Sequence, residues 1–361
     1  MKQKIKVMLW PTKHSEHNGY IDNLYRTICN EYEVVGYDEM KKKGIKDILS
    51  ADIYHLNWYE NISSSNSKAK SKLMIIKKKV CIYVLKVLRK KIIWTVHNSV
   101  PHDLDDSKSI IGLMKFISRK ADKIHIMCTD TLNNKYFNLK KYEKKIVLIP
   151  LGDYINNYGY SNVDIKDRYG IKKDEKIILF SGLVRKYKNI ELLVEAFEKS
   201  GIEKSKFILL ICGLCQNVSY KEELQKNIET RNVKFDFEFI KDDEMGDYLQ
   251  QSDILVSPYN KESSLNSATL IMAMSYSKSF ICPLIGTVKE IKDYNKMLYV
   301  YDYSDKREHL INLIKQFQKI EQDVKENEKI LQEKGKLAYE YIQNNQTWEG
   351  NKQSWLKLYK F

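Results

Sequence analysis

The sequence predicts an α/β protein made of two doubly wound domains, each built on a parallel sheet with helices on both faces. Short apolar runs with the composition of fully buried strands recur along the chain, and amphipathic helical segments separate them. The length of 361 residues also suits two hydrophobic cores better than one.

Six strands are predicted in the first half of the chain. Their runs are KIKVMLW, EYEVVGYD, ADIYHLNW, KKIIWTVHN, ADKIHIMCT and EKKIVLIPL. Because helical segments rather than tight turns connect them, we expect one parallel sheet. Ligands of such sheets bind at the carboxyl ends of the strands.

The second half repeats the pattern with the runs EKIILFSG, KFILLICG, VKFDFEFI, SDILVSPY, KSFICPL and MLYVYD. A helix follows the first of these strands, since Ile190, Leu193, Val194 and Phe197 have the i, i+3, i+4, i+7 spacing of one helical face. Asn189 is suited to cap its N-terminus.

The domain boundary is predicted in GDYINNYGYSNVDIKDRYG, residues 152–170, which is rich in Gly, Asn and Tyr and lacks any regular periodicity. The predicted parts are an N-terminal domain over 1–160, a C-terminal domain over 161–343 and a closing helix over 344–361. Trp348, Trp355 and Tyr359 of the closing helix are expected to pack against a neighbouring domain. We expect the ligand cleft between the two domains.

The chain is strongly basic, with 61 Lys and Arg against 47 Asp and Glu and a formal net charge of +14. This charge favours anionic partners such as phosphates or acidic lipid headgroups. Nucleic acid is not expected, because no recognition motif with interleaved aromatics or zinc finger is present. The N-terminal apolar stretch is too short for a signal peptide and no stretch suits a transmembrane helix, so we expect a cytoplasmic protein.

The segment from Lys68 to Lys91 contains ten basic residues and no acidic one. Its apolar residues are spaced roughly as one helical face: Leu73, Ile76, Val80, Val84 and Val87. One interpretation is an amphipathic helix on an anionic membrane, which makes the protein peripheral at the inner face of the cell membrane. The other is a sheet-covering helix with a solvated lysine face.

The basic turn in FSGLVRKYKNIELLVEAF, residues 180–197, is the first candidate site. Gly182 ends a strand, and Arg185 and Lys188 follow just before a helix start. An arginine fork and a lysine charge at this position suit a diphosphate, and they stabilise it as negative charge builds on a leaving group. The alternative is that these cations only solvate a surface loop.

The second candidate is another passage from strand to helix, SPYNKESSLNSATLIMAMS, residues 257–275. It contains several N-cap residues whose small size lets backbone N–H groups approach an anion. The candidate donor-binding residues here are Ser263, Ser264, Leu265, Asn266 and Ser267. Simple helix capping is the alternative.

In the first half, His97 follows the strand IIWTV, so its ring should lie at the carboxyl edge of the sheet and contact a ligand there. His55 and Trp58 end another strand in the same way. The candidate residues on the acceptor side are Asn18, Gly19, His55, Trp58 and His102.

Together these segments resemble a retaining glycosyltransferase of family 4 with the GT-B architecture, in the branch that assembles polysaccharides and surface glycans. WTVHNSVPHD is similar to the histidine segment of the family's first domain, GLVRKYKNIELLVEAF to its phosphate-binding turn, and SDILVSPY through ICPLIGTVKEI to its nucleotide-sugar region. The resemblance implies two Rossmann-like domains with an interdomain cleft, the donor in the C-terminal domain and the acceptor in the N-terminal one. It also implies a closing helix that crosses back to the first domain.

By this resemblance His97 contacts the donor sugar, Arg185 and Lys188 bind the diphosphate, the backbone of 263–267 binds the phosphates, and Glu290 lies near the nucleotide. The sequence departs from the family's pattern of two glutamates before an Ala-Met pair. Ser264 and Met272 stand at those positions.

The implied reaction moves a hexose from a UDP- or GDP-sugar to a lipid-linked or oligosaccharide acceptor, such as a growing cell-surface polysaccharide, with retention of configuration. No cofactor or metal is expected, because the nucleotide-sugar is a substrate and the single CxxC of Cys212 and Cys215 has no second pair. Two alternatives stay open: a non-catalytic GT-B-like protein that binds a glycan or a partner, and a dehydrogenase. The dehydrogenase is disfavoured because HSEHNGYIDN stands where a GxGxxG fingerprint belongs.

Overall fold

The computed structural model contains two parallel sheets of six strands each, and it describes residues 4–15, 18–62, 67–99, 107–134, 136–226 and 231–361. Each strand lies within one of the twelve runs predicted above. The strands of the first sheet are β1 (Lys6–Trp10), β2 (Glu33–Gly36), β3 (Ile53–Asn57), β4 (Lys91–Thr95), β5 (Lys123–Ile126) and β6 (Ile146–Leu148). Those of the second are β7 (Lys176–Ser181), β8 (Phe207–Cys212), β9 (Val233–Asp236), β10 (Ile254–Val256), β11 (Ser279–Pro283) and β12 (Tyr299–Tyr301).

Helices connect the strands, as parallel pairing requires. In the described residues they are α1 (Gly19–Ile28), α2 (Tyr37–Lys43), α3 (Ile45–Ile48), α4 (Lys68–Val87), α5 (Ser107–Lys120), α6 (Ile165–Arg168), α7 (Ile190–Ser200), α8 (Val218–Lys226), α9 (Asp242–Gln251), α10 (Ala268–Ser275), α11 (Gly286–Lys289), α12 (Tyr294–Met297), α13 (Lys306–Glu326), α14 (Ile330–Asn345) and α15 (Lys352–Leu358). None of the described helices is both long and apolar enough to cross a membrane.

The chain forms two compact units. Unit 1 consists of Met1–Gly152, Glu262–Asn266 and Gln346–Phe361, and unit 2 consists of Asp153–Lys261 and Ser267–Asn345. The first division falls in the 152–170 segment that was predicted to hold the boundary. Unit 1 therefore takes α15 and a short piece from the middle of the second half of the sequence.

The strand order determines where each sheet opens to a ligand. The first sheet has the order β2-β1-β3-β4-β5-β6, which reverses between β1 and β3. The second has the order β12-β11-β10-β7-β8-β9, which reverses between β7 and β10. Ligands of open α/β sheets bind at the carboxyl ends of the strands beside such reversals.

The core of unit 2 lies on both sides of its sheet. Phe180 of β7 is buried, and on one face Phe197 of α7 meets Phe317 of α13 edge to face, with ring centroids 5.9 Å apart. Burying a side chain of this size stabilises a fold by about 1.5–3 kcal/mol, so the apolar face of α7 fixes this helix on the sheet.

Helix α4 of unit 1 has two apolar faces. Ile75, Ile82 and Leu85 are buried in the core of unit 1, so the helix does cover the sheet. The stripe that the sequence singled out lies on the other side and is exposed, together with Tyr83 and Leu88: Leu73, Ile76, Val80, Val84 and Val87. The solvated face therefore carries large apolar side chains as well as lysines.

Candidate functional site

The basic turn of unit 2 begins at a close approach between two strands. Gly182 directly follows β7 with φ +141°, and Gly213 directly follows β8 with φ +147°. A Cβ atom on Gly213 would lie 1.9 Å from the carbonyl oxygen of Gly182, so only glycine fits there. The turn after Gly182 is thereby fixed at the carboxyl edge of the sheet.

Lys188 is the most unusual side chain of this turn. It is half-buried, and its Nζ lies 5.5 Å from the ring centroid of Tyr187 and 5.3 Å from that of Tyr259. Burial, followed by the positive charge of Arg185, lowers the pKa of Lys188 to about 8. Across the described ranges Lys188 has no carboxylate ion pair, whereas the exposed Lys186 pairs with Glu223 at 3.3 Å.

Asn189 occupies the N-cap position of α7 as predicted, but its side chain does not cap the helix. It has the left-handed conformation, with φ +56°, and its Nδ2 donates a hydrogen bond of 2.7 Å to the carbonyl oxygen of Pro258. This bond ties the turn after β7 to the loop after β10. The predicted capping bond is therefore wrong, because the amide is used across the strand-order reversal.

Ser267 caps α10, since its Oγ accepts a bond of 2.9 Å from the N–H of Leu270. Its Oγ also lies 2.5 Å from the hydroxyl of Tyr259, and its N–H donates to Oγ1 of Thr287 at 3.1 Å. Tyr259 thus contacts Lys188 with its ring and Ser267 with its hydroxyl. The structure brings the two predicted helix starts together beside the same reversal in strand order.

Glu290, the predicted nucleotide contact, caps the C-terminus of the short helix α11 in unit 2. Its backbone oxygen accepts a bond of 3.3 Å from the hydroxyl of Tyr341. Glu290 comes three residues after Thr287, at the end of α11, and Thr287 of this helix binds the start of α10.

The other four residues of the predicted phosphate segment lie elsewhere. Leu265 is buried in the core of unit 1, and the oxygen of Ser263 accepts a bond of 3.3 Å from the N–H of Ser99. Asn266 donates through Nδ2 to the carbonyl oxygen of His97 at 2.9 Å. Ser263, Ser264 and Asn266 therefore do not cap α10 as expected, because contacts within unit 1 hold this segment and the helix begins only after Ser267.

His97 follows β4 in unit 1 and is enclosed by its neighbours. Its Nε2 lies 3.1 Å from Oδ1 of Asn57, and its ring stacks on Trp58 with centroids 3.8 Å apart and planes 15° apart. The ring of Tyr20 meets it edge-on at 5.2 Å. Burial, followed by the proximity of the titratable rings of His125 and His55, holds the pKa of His97 well below its usual value, so the ring is neutral at pH 7.

His55 is not available to an acceptor, which corrects the prediction. Its Nδ1 lies 2.6 Å from the hydroxyl of Tyr359 and its Nε2 lies 2.7 Å from Oγ1 of Thr95, so both ring nitrogens are used inside unit 1. Thr95 in turn contacts Nδ1 of His125 at 3.0 Å, and Nε2 of His125 lies 2.9 Å from the oxygen of Ile149. His55 is thus part of a buried chain of hydrogen bonds.

Of the other acceptor-side candidates, Trp58 contacts His97 and has an unusual backbone, with φ +48°. Asn18 precedes α1 without making a side-chain capping bond, and Gly19 is the first residue of that helix. His102 lies outside the described residues. No cluster of three or more His, Cys, Asp or Glu that suits a metal ion occurs in the part of the chain that the structure describes.

Sequence reasoning missed three residues of these sites: Asn57, Tyr259 and Thr287. Asn57 is the last residue of β3 and Tyr259 comes three residues after β10. Their positions at strand ends were visible signals. Thr287 gave no such signal, because it lies in the short helix α11 rather than at a strand end and is recognised only by its bond to Ser267.

Comparisons with known proteins agree with this architecture. Residues 161–337 match the family model of the group 1 glycosyl transferases. The N-acetyl-alpha-D-glucosaminyl L-malate synthase of Bacillus anthracis is 26% identical over 238 residues, which cover 63% of this chain and 59% of that relative. The match therefore spans less than two thirds of the relative's length.

Among solved structures, the Anabaena protein HepE in complex with UDP and glucose has a TM-score of 0.71 at 11% identity, with 98% of this chain and 99% of that chain covered. WaaG, a glycosyltransferase involved in lipopolysaccharide biosynthesis, has a TM-score of 0.64 at 11% identity, with 99% and 100% covered. Identities this low show the fold alone. The chain has the predicted GT-B fold of two α/β domains.

Proposed function

We propose that this chain, with the GT-B fold and a C-terminal half that matches the group 1 glycosyl transferases, is a retaining glycosyltransferase of family 4. It moves a hexose from a UDP- or GDP-sugar to a lipid-linked or oligosaccharide acceptor, such as a growing cell-surface polysaccharide. The complex of HepE with UDP and glucose supports a nucleotide-sugar donor. The role of WaaG in lipopolysaccharide biosynthesis supports a surface-glycan acceptor.

The observation that carries the proposal is the position of Lys188. A half-buried ammonium at Lys188 without a carboxylate partner in the described chain costs free energy. An anion that binds beside Lys188 recovers that cost. The dianionic diphosphate of a sugar nucleotide fits, because the turn lies beside the strand-order reversal and next to the start of α10.

In the proposed reaction the bond between the anomeric carbon and the diphosphate oxygen breaks, and the acceptor oxygen bonds to the same face of the sugar. The acceptor's proton passes to the departing phosphate oxygen, so no separate carboxylate base is needed. Arg185 and Lys188 stabilise the charge that develops on the diphosphate. His97, neutral and held by its neighbours, is proposed to orient the donor sugar, as the family resemblance implies.

Helix α4 supports a peripheral location at the inner face of the cell membrane. Its outer face combines exposed apolar side chains such as Ile76 and Val80 with exposed lysines such as Lys72 and Lys77, and the helix contains no acid. Apolar groups that enter a headgroup region and cations that meet anionic lipid strengthen each other. We therefore propose an anionic membrane surface as a partner.

The test is UDP binding and sugar transfer by Lys188→Met and Arg185→Ala. Loss of one group that stabilises the transition state lowers turnover by about 10²–10³-fold. Lys186→Met is the matched control, since Lys186 lies on the same turn but is exposed and paired with Glu223. Unchanged turnover in both variants overturns the assigned roles. A wild-type protein that binds UDP-sugar without turnover is instead the non-catalytic binder.

A further inference from the structure

Asn57 is a buried amide whose hydrogen bonds are only half satisfied. It ends β3 and is fully buried, and its Oδ1 lies 3.1 Å from Nε2 of His97. Its Nδ2 is also buried and has no hydrogen-bond partner among the described residues. An unpaired buried donor costs about 1–3 kcal/mol, and a leucine, which has the same branching but no polar atoms, would not incur this cost. Packing alone therefore does not account for an asparagine at this position.

The contact with His97 explains why an asparagine occupies position 57. A neutral imidazole has one nitrogen that donates and one that accepts. With Oδ1 of Asn57 facing Nε2, the proton lies on Nε2 and the lone pair lies on Nδ1. Nδ1 has no hydrogen bond to any described residue. It is the one polar atom of the ring left for a ligand.

The rest of the surroundings hold the ring in this orientation. Trp58 stacks on one face at 3.8 Å, and its left-handed backbone, with φ +48°, is a strained conformation for a bulky residue. Asn266 binds the carbonyl oxygen of His97 at 2.9 Å. Backbone, ring plane and Nε2 are thus each held by a different residue.

We propose that Asn57 is a positioning residue: it holds the Nε2–H of His97, so that the ring presents the Nδ1 lone pair to a hydroxyl group of the sugar ligand. This inference rests on the proposed function for the identity of the ligand. The coupling between Asn57 and His97 is a property of the protein itself and is testable without any ligand.

The first test is the titration of His97 in protein labelled with ¹⁵N-histidine, with its signals identified by their loss in His97→Gln. The wild type should show the tautomer protonated at Nε2. Among the described residues, the titratable groups that face His97 are Tyr20 of α1, His55 of β3 and His125 of β5, and none of them carries a negative charge near pH 7. A carboxylate in place of the amide therefore adds an anion directly beside the ring.

Asn57→Asp should raise the pKa of His97 by about 1–3 units, the usual effect of an adjacent opposite charge. Asn61→Asp adds the same charge at an exposed position of the loop after β3 and should leave the pKa of His97 unchanged. Equal His97 pKa values in the two variants, or a wild-type ring protonated at Nδ1, overturn the proposal. In transfer assays, the acid limb of the pH profile of kcat/KM should move to higher pH in Asn57→Asp and stay in place in Asn61→Asp.

The second test is Asn57→Leu, which removes the acceptor and the unpaired donor together. The melting temperature should change little, while kcat/KM should fall by about 10- to 100-fold because the ring loses its fixed orientation. A lower melting temperature with unchanged kcat/KM means a purely structural role and overturns the proposal. If the wild type transfers no sugar, the proposed function fails, and the titration still decides the coupling.

Discussion

The proposed role of Lys188 in donor binding depends on the protonation state of this side chain. Burial lowers the pKa of Lys188 to about 8, so an appreciable fraction of the molecules lacks this charge at pH 8. A bound diphosphate favours the ammonium form and raises the pKa, so UDP binding at pH 8 should take up protons. Calorimetry in buffers of different ionisation enthalpy measures the uptake. Lys188→Arg should abolish it, because arginine is charged throughout this range. Equal uptake in both proteins contradicts the assignment.

Asn189 offers a second prediction at the level of one residue. Asn189→Ala loses the bond to Pro258 and also places a Cβ-bearing residue without a compensating side chain at φ +56°. Asn189→Gly loses the bond but tolerates the left-handed backbone. The alanine variant should therefore be less stable than the glycine variant by about 1 kcal/mol. Urea denaturation measures the difference, and the reverse order would refute the account.

The strands of unit 1 and α15 are joined by a chain of hydrogen bonds whose direction is fixed. The oxygen of Ile149 can only accept, so His125 donates to it from Nε2 and accepts at Nδ1 from the hydroxyl of Thr95. Thr95 then accepts from Nε2–H of His55, which leaves Nδ1 of His55 to accept from the hydroxyl of Tyr359. Burial keeps both imidazoles neutral by lowering the pKa of each.

Thr95→Val should therefore be costly, because it leaves a buried donor on His55 and a buried acceptor on His125. We expect a loss of roughly 2–5 kcal/mol in the free energy of unfolding of unit 1. Thr27→Val is the control: Thr27 is also buried in unit 1, but its hydroxyl only donates to the carbonyl oxygen of Asn23 within α1. Similar losses in the two variants would argue against the chain.

Helix α4 leads to a prediction about lipid binding. Lys72→Gln with Lys77→Gln should weaken binding to anionic vesicles by about 1 kcal/mol per charge. The control is Lys315→Gln with Lys336→Gln, which removes equal charge from exposed positions of unit 2. Vesicle co-sedimentation at several salt concentrations measures both. Equal weakening by the two pairs would mean that only net charge matters.

Lys78 shows what the pattern of α4 could not reveal. The sequence makes Lys78 equivalent to Lys77, but its Nζ donates to the carbonyl oxygens of Tyr59 at 2.6 Å and Asn61 at 2.7 Å. It holds the loop after β3 rather than facing solvent. The distinction depends on the rotation of the helix against the sheet, which the helix's own sequence does not determine.

At the candidate sites, too, the local sequence does not determine which distant residues a side chain contacts. The strands were predictable because burial on both faces leaves a local apolar signal. Whether the ring of His55 is available to a ligand depends on its hydrogen bond with Tyr359, which is distant in sequence. The position of Leu265 depends on which core accepts it, and the polar residues around Leu265 carry no information about that core. The position of Lys188 between β7 and α7 was predictable, because it follows from the local passage from strand to helix, and its role stays a prediction.

At the scale of the whole molecule, the tryptophans report on one unit only. The chain has five, Trp10, Trp58, Trp94, Trp348 and Trp355, and all lie in unit 1. UDP at 100 times its dissociation constant adds about 2.7 kcal/mol to the unit that binds it. We expect the circular dichroism melt to show a transition shifted upward, while the transition seen by tryptophan emission stays in place. An equal shift in the emission would place UDP in unit 1.

Unit 1 is assembled from three separate pieces of chain, and this affects how it forms on the ribosome. Its first piece is translated before unit 2, yet the buried Trp355 and Tyr359 belong to its last piece. At about 5–20 residues per second, residues 153–345 take roughly 10–40 s to make. During that interval the nascent N-terminal half lacks side chains that fill its interior. Unit 1 thus begins to leave the exit tunnel before unit 2 but is completed after it. During the intervening time its unfinished core is exposed to chaperones and proteases.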